Sequence, residues 1–144
     1  MVPGRIFRHE RFYLDRETGL LKPKYFLVLA IDASDDCIAR LLTSRAHARP
    51  EKPRCFHGMP YPGYFLGIPG QGLEFPTWVD LRFLEDFDGL DFQRLVVSRV
   101  ISAISDLATE TFVELLDCAA RADDTTRYQE QAIRAELNHR RRSN

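Results

Sequence analysis

This sequence predicts a mainly β fold, a small barrel accompanied by C-terminal helices, and three observations lead there. Apolar residues come in short runs punctuated by turn chemistry. Six of the eight prolines and five of the eight glycines fall within residues 50–76, where neither helix nor long strand can persist. An uninterrupted helical stripe begins only after Thr109. The 144 residues make one domain, large enough to bury about two-thirds of its unfolded surface without a metal or disulfide. With 44% hydrophobic and 28% charged residues, the composition excludes a disordered or fibrous chain.

Taken in order, residues 4–14 (GRIFRHERFYL) alternate apolar and charged side chains, the pattern of a half-exposed strand. Residues 15–19 (DRETG) are turn chemistry. Residues 22–32 (KPKYFLVLAID) form a continuous aromatic and aliphatic run, a strand buried on both faces, so residues 5–31 predict a hairpin. Residues 37–42 (CIARLL) are a third strand, stopping at Thr43, Ser44 and Arg45. Short strands are expected at 64–68 and 73–75, a longer one at 78–83, an acidic loop at 86–91, and a last strand at 95–104, for which a helix is the close competitor. Thr109 is read as the cap of a helix whose stripe is Phe112, Val113, Leu115, Leu116 and Ala119. A second helix over 126–140 has only a thin apolar face, Tyr128, Ile133 and Leu137, and is expected to pack loosely on the domain or on a partner. Residues 1–121 are thus the barrel domain with its helix, and 122–144 a helical tail. Closure of the sheet would remove its exposed edges.

The formal charge of −1 conceals segregation: residues 1–61 carry +4, residues 62–133 carry −8, and the last eleven carry +3. Such a distribution offers a positive surface to an anionic partner. The longest apolar stretch, residues 25–31, is far short of the ~20 residues that span a bilayer. No basic-then-apolar export signal opens the chain, so a cytoplasmic protein without membrane attachment is expected. Three cysteines, Cys37, Cys55 and Cys118, have no paired framework and are expected to be reduced.

Four groups of residues can carry chemistry. Residues 40–54 hold five Lys/Arg, His47 and a single acid, with Thr43 and Ser44 offering hydroxyls at a strand end and Arg45 a planar fork matched to phosphate oxygens. Lys22 and Lys24 flank the entrance to the buried strand, where the hairpin and the Thr43 turn can converge on one rim. His9 and His47 lie among arginines, and either can act as a general base near neutral pH. Cys55 and His57 have a Cys-x-His spacing, but no second ligand pair stands at a recognisable spacing, so no metal is expected. Tyr61, Tyr64, Phe65 and Trp78 either stack on single-stranded bases or form core; Phe65 and Trp78 are read as core, Tyr61 and Tyr64 left open.

In their order these features resemble the PemK/MazF family of toxin-like endoribonucleases. The likeness rests on Gly4-Arg5-Ile6-Phe7, on Lys22-Pro23-Lys24-Tyr25 leading into Phe26-Leu27-Val28-Leu29, on Leu42-Thr43-Ser44, and on residues 94–104 and 107–119. Thr43-Ser44 is the close match; Lys24 and Tyr25 stand where the family has Arg and Pro, and residues 49–72 are longer than usual. The resemblance implies an SH3-like barrel, a homodimer, metal- and cofactor-free cleavage of single-stranded RNA by 2′-hydroxyl attack, and neutralisation by an antitoxin protein in a type II toxin–antitoxin system. It implies that Lys24 and Arg45 supply positive charge and Thr43 and Ser44 hydrogen bonds to phosphate oxygens. The residues themselves add His47 to this catalytic group as a base, and Lys22, Arg49, Arg8 and Arg11 are expected to be further cations binding the substrate. The alternatives are a non-catalytic module binding RNA or a protein peptide, and a small-molecule enzyme with an apolar pocket in residues 50–76.

Overall fold

The computed structural model describes residues 1–143. Its elements are β1 (Arg5–Asp15), β2 (Leu20–Ile31), β3 (Cys37–Thr43), β4 (Cys55–Phe56), β5 (Gly63–Gly67), β6 (Thr77–Asp80), α1 (Gly89–Val97), β7 (Ile101–Asp106), α2 (Thr109–Ala120) and α3 (Arg127–Arg142). The strands form one seven-stranded sheet in the order β4-β5-β6-β3-β2-β1-β7. All its pairings are antiparallel; four join consecutive strands, and two, β3 with β6 and β1 with β7, join strands distant in the chain. The mainly β class with helices toward the C-terminus is therefore observed, but the ladder is open, with β4 and β7 as its edges.

β1 and β2 form the expected hairpin, in register from Ile6 opposite Leu27 to Asp15 opposite Leu20, with an irregularity between His9 and Tyr13. Side chains alternate across a strand, and both faces of β2 are covered. Leu27 and Leu29 belong with Ile38, Leu42, Phe112, Leu115, Leu116, Ile133 and Leu137 to the larger core, between the sheet and α2/α3. Phe26 and Val28 belong with Phe7, Ala39, Phe92 and Ile101 to a smaller core beneath α1. There Phe7 meets Phe92 edge-on at 5.2 Å and Phe26 meets Phe87 at 4.8 Å. Such aromatic pairs add about 0.5–1.5 kcal/mol beyond burial.

Several local expectations are corrected. The run 95–104 is not one strand: helix α1 fills 89–97, started by Asp88, whose side chain accepts from the Asp91 N–H, and β7 begins only at Ile101. Arg99, at φ +64°, reverses the chain between them. Residues 86–88 of the expected acidic loop do lie outside any helix, but 89–91 are the first turn of α1, and Gly89 is required there because a Cβ would lie 2.1 Å from the Asp35 carbonyl oxygen. Residues 73–75 form no strand, only a bridge from Leu73 to Gly70, and β6 ends at Asp80 rather than continuing to Phe83. Thr109 is the first residue of α2, not its cap.

Helix α3 starts at a capping box in which Thr126 and Gln129 satisfy one another's backbone N–H groups. Its Ile133 and Leu137 are buried in the larger core, so its apolar face, though thin, is firmly seated rather than loose. Arg40, counted in the basic cluster, is fully buried: it donates to the Ala39 carbonyl at 2.8 Å and to Gln129 Oε1 at 2.9 Å. Burial lowers its pKa to about 10. The cysteines are not all reduced: Cys55 and Cys118 form a disulfide, S–S 2.11 Å, and only Cys37 is free and buried. An odd cysteine count carries no information about which helix packs beside which strand, and it is the packing of α2 on β4 that brings this pair together.

Candidate functional site

Lys24, Thr43, Ser44, Arg45, His47 and Arg49 all line one open cleft of about 520 Å³. It lies where the first half of β2, the end of β3 and the end of β6 meet the segments that follow β3 and precede β6. Four cations (Lys24, Arg45, Arg49 and Arg82) and one carboxylate, Asp80, are among its lining residues; with Arg49 and Asp80 paired to each other, Lys24, Arg45 and Arg82 leave the cleft a positive excess suited to a polyanion.

Lys24 stands opposite His9 in the ladder, its ammonium 5.8 Å from the centre of the Tyr13 ring. A cation over an aromatic face is attracted by the ring's quadrupole. Thr43 closes β3 opposite Trp78. Its Oγ1 accepts the Arg45 N–H at 3.1 Å, which leaves the hydroxyl proton free to donate. The next residues turn sharply: His47 and Ala48 sit at φ +46° and +69°, and the Arg49 N–H closes the turn on the Ala46 carbonyl at 2.8 Å. Two successive left-handed residues other than glycine cost about 1–2 kcal/mol each. That strain is held at the rim of the cleft, with the His47 ring 5.3 Å from Tyr61.

Arg49, expected to be a further cation for the substrate, lines the cleft but turns its guanidinium inward rather than toward solvent. Its side chain is 1% exposed and pairs with Asp80 at 3.2 Å. Its Nε donates to the Pro62 carbonyl at 3.0 Å and its Nη1 to the Arg45 carbonyl at 3.3 Å. Arg49 therefore ties the turn that carries Arg45 to the start of β5. Burial lowers its pKa below the ordinary guanidinium value, opposed by Asp80. Burial likewise pushes the Asp80 carboxyl up, but the hydrogen bonds and charges of Arg82 and Arg49 prevail and hold it below 3.8.

The residue that reading the sequence missed is Arg82. It grips Asp80 through Nε at 3.0 Å and Nη2 at 2.7 Å, lies 4.7 Å from the centre of the Tyr61 ring, and keeps half of its side chain exposed in the cleft. In WVDLRF it reads as the polar partner of a strand's alternation; the Asp-x-Arg spacing was its available signal. Three aromatic rings, Tyr13, Tyr25 and Phe75, also line the cleft, and Phe75 is 70% exposed.

Arg8, Arg11 and Lys22 are not among the cleft's lining residues. Arg8 pairs with Glu10 and leans over Tyr25, Arg11 is exposed near the irregularity of β1, and Lys22 stands opposite Tyr13. Trp78 is core, donating to the Pro50 carbonyl at 2.9 Å, and half-buried Phe65 packs on it at 5.0 Å. Of the open pair, Tyr64 is core, its hydroxyl donating to Glu114 at 2.8 Å, whereas Tyr61 stands between Arg49, Arg82 and His47 at the cleft's margin. Among the described residues, the group of three side chains able to hold a metal is Cys55, His57 and Cys118, none of which lines the cleft. Compared with protein families, with curated proteins and with solved structures, the chain matches none.

Proposed function

We propose that the cleft binds single-stranded RNA and cleaves it without a metal, as the resemblance to PemK/MazF toxins implies. The observation that carries this reading is the meeting of Lys24 with Thr43, Ser44, Arg45 and His47 in one open cleft, although they come from two strands and a strained turn. RNA brings its own nucleophile, so the protein has to orient it, move two protons and stabilise charge at phosphorus. His47 takes the proton of the 2′-hydroxyl as that oxygen attacks the adjacent phosphorus. The bond to the 5′-oxygen breaks, and Lys24 supplies the proton this leaving group takes up. Hydrogen bonds from Thr43 and Ser44 and the fork of Arg45 hold the non-bridging oxygens. The products are a 2′,3′-cyclic phosphate and a 5′-hydroxyl. Tyr13, Tyr25 and Phe75 give unpaired bases faces to stack on.

The same reading makes the seven-stranded sheet a divergent SH3-like barrel and brings with it a homodimer, a cytoplasmic setting and an antitoxin protein. Incubating single-stranded RNA with the protein in EDTA tests it. Fragments ending in cyclic phosphate are expected, with yields cut about 100-fold or more by Lys24→Ala or Thr43→Ala. No fragments at high protein concentration, or fragments indifferent to both substitutions, would refute it.

One observation favours a second reading, a module that binds RNA without cutting it: the Lys24 ammonium is already engaged with the Tyr13 ring. Salt-sensitive RNA binding with no turnover is its signature.

A further inference from the structure

We propose that Cys55, His57 and Cys118 form a redox-gated zinc site: as a dithiol, the two thiolates and the imidazole bind one Zn²⁺, and as a disulfide they do not. This site is separate from the cleft and does not depend on what the cleft binds.

The fold, not the local sequence, assembles the three donors. Cys55 lies on the edge strand β4 and His57 just beyond it, while Cys118 comes from α2, 63 residues from Cys55. His57 Nε2 stands 3.5 Å from the sulfur of Cys55 and 3.5 Å from that of Cys118. All three donor atoms lie within 4.8 Å of one another. Tetrahedral zinc with its usual bond lengths puts sulfur and nitrogen ligands roughly 3.5 Å apart and two sulfurs roughly 3.8 Å apart. The imidazole is therefore already at ligand spacing from both sulfurs, and breaking the S–S bond is what makes room for an ion.

The surroundings suit a soft cation. Cys118 is fully buried, whereas Cys55 and His57 are half-buried, so the site is sheltered on the α2 side and reachable from the β4 side. Arg121 Nη2 lies 3.9 Å from the Cys55 sulfur, and Asp117 holds that guanidinium at 3.0 Å. A cation so placed favours the thiolate, the form that binds metal. His57 Nε2 is also 2.9 Å from the Cys118 carbonyl oxygen. Ligation needs that nitrogen's lone pair, so metal uptake gives up this bond. Three protein ligands leave a fourth position for water, as in open zinc sites.

The gating step balances with a dithiol as reductant. The reductant passes two electrons to the Cys55–Cys118 bond and becomes a disulfide itself, leaving two thiols, which lose their protons to solvent as zinc enters. Cys37 takes no part: it is buried, and burial pushes its thiol up to about 12.

The test uses the full chain, reduced with dithiothreitol and freed of it under anaerobic conditions, then titrated with Co²⁺ and Zn²⁺. The reduced chain is expected to take up one Co²⁺ with a sulfur-to-cobalt charge-transfer band and tetrahedral visible bands, and Zn²⁺ to displace it. The oxidised chain, with one titratable thiol after unfolding against three when reduced, is expected to take up none. His57→Ala, which keeps both thiols, is expected to lose at least ~10-fold in affinity. The proposal is overturned if the reduced chain shows no thiolate-bound cobalt, if the oxidised chain binds equally, or if His57→Ala leaves the affinity unchanged. The oxidised wild-type chain is the control, so the test needs no cysteine substitution.

Discussion

Arg49 and Asp80 pair inside the protein, Nη2 to Oδ1 at 3.2 Å, with only 1% and 9% of their side chains exposed. A pair this dry is more telling when broken than when formed, because removing one partner strands the other's charge; the cost is about 3–5 kcal/mol. Asp80→Ala is expected to lower the free energy of unfolding by about that much, measured by urea denaturation at neutral pH. An unchanged urea midpoint would mean that the pair holds nothing.

The same carboxyl makes part of the stability pH-dependent. Burial alone would raise the Asp80 pKa, but Arg82 and Arg49 reverse that and depress it. A carboxyl depressed in the folded state binds its proton more weakly there than in the unfolded chain. Its contribution is therefore complete above the unfolded value of about 3.9 and is lost as pH falls through the folded value below it. Urea midpoints measured at pH 7 and at pH 3 are expected to fall less steeply for Asp80→Asn than for the wild type. Equal declines would remove Asp80 from the acid response.

Arg49 can lie flat over β5 because residue 63 has no side chain. A Cβ there would sit 2.5 Å from Arg49 Cδ and 2.8 Å from its Nε. Gly63→Ala is expected to cost about 1–3 kcal/mol through overpacking. Combined with Arg49→Ala, it is expected to add less than its single value, since the clash then has no second party. Strict additivity in that double-mutant cycle would place the strain elsewhere, for instance against the Val79 carbonyl oxygen at 3.3 Å.

Much of this arrangement is local and so could be read in advance. The hairpin follows from alternation, then a polar turn, then a doubly buried run, and Thr43-Ser44 ends a strand where the apolar run stops. What escaped reading depended on contacts distant in sequence or on backbone conformations that side chains do not announce. Leu95, Val96 and Val97 carry strand-like residues, yet Asp88 caps a helix through them and Arg99 breaks it at a positive φ. Arg49 looks like one more solvated cation until Asp80 and Gly63 are folded beside it. Cys118 reaches Cys55 only because α2 packs by the sheet edge.

Arg40 illustrates a buried charge with incomplete compensation. Its Nη groups are bonded to Ala39 and Gln129, but among the described residues its Nε has no partner. Gln129→Ala removes a hydrogen bond to a buried charge and is expected to cost about 1.5–3 kcal/mol. Arg40→Met removes the charge and fills similar space but leaves Gln129 Oε1 and the Ala39 carbonyl without this donor, so it is expected to cost about 1–3 kcal/mol. Thermal unfolding of the two variants decides: an Arg40→Met chain as stable as the wild type would show that the guanidinium contributes no more than its volume.

Arg82 and Arg49 share Asp80, yet the cleft puts them to different uses, and salt can separate them. Arg82 spends Nε and Nη2 on the carboxylate and remains half exposed, so Nη1 is available to a phosphate. Arg82→Ala is expected to cost less than Asp80→Ala, about 1–2 kcal/mol, because the buried Asp80 carboxylate loses these hydrogen bonds but keeps Arg49 as its partner. In titrations of single-stranded RNA it is expected to weaken binding and to reduce the slope of log K against log salt by about 0.7, the loss of one phosphate contact. Arg49→Ala should do the reverse, destabilising the fold strongly while acting on RNA only through the misplaced turn. If Arg82→Ala leaves the salt slope untouched, its exposed edge faces no phosphate, and the positive character of the cleft must be delivered by Lys24 and Arg45 alone.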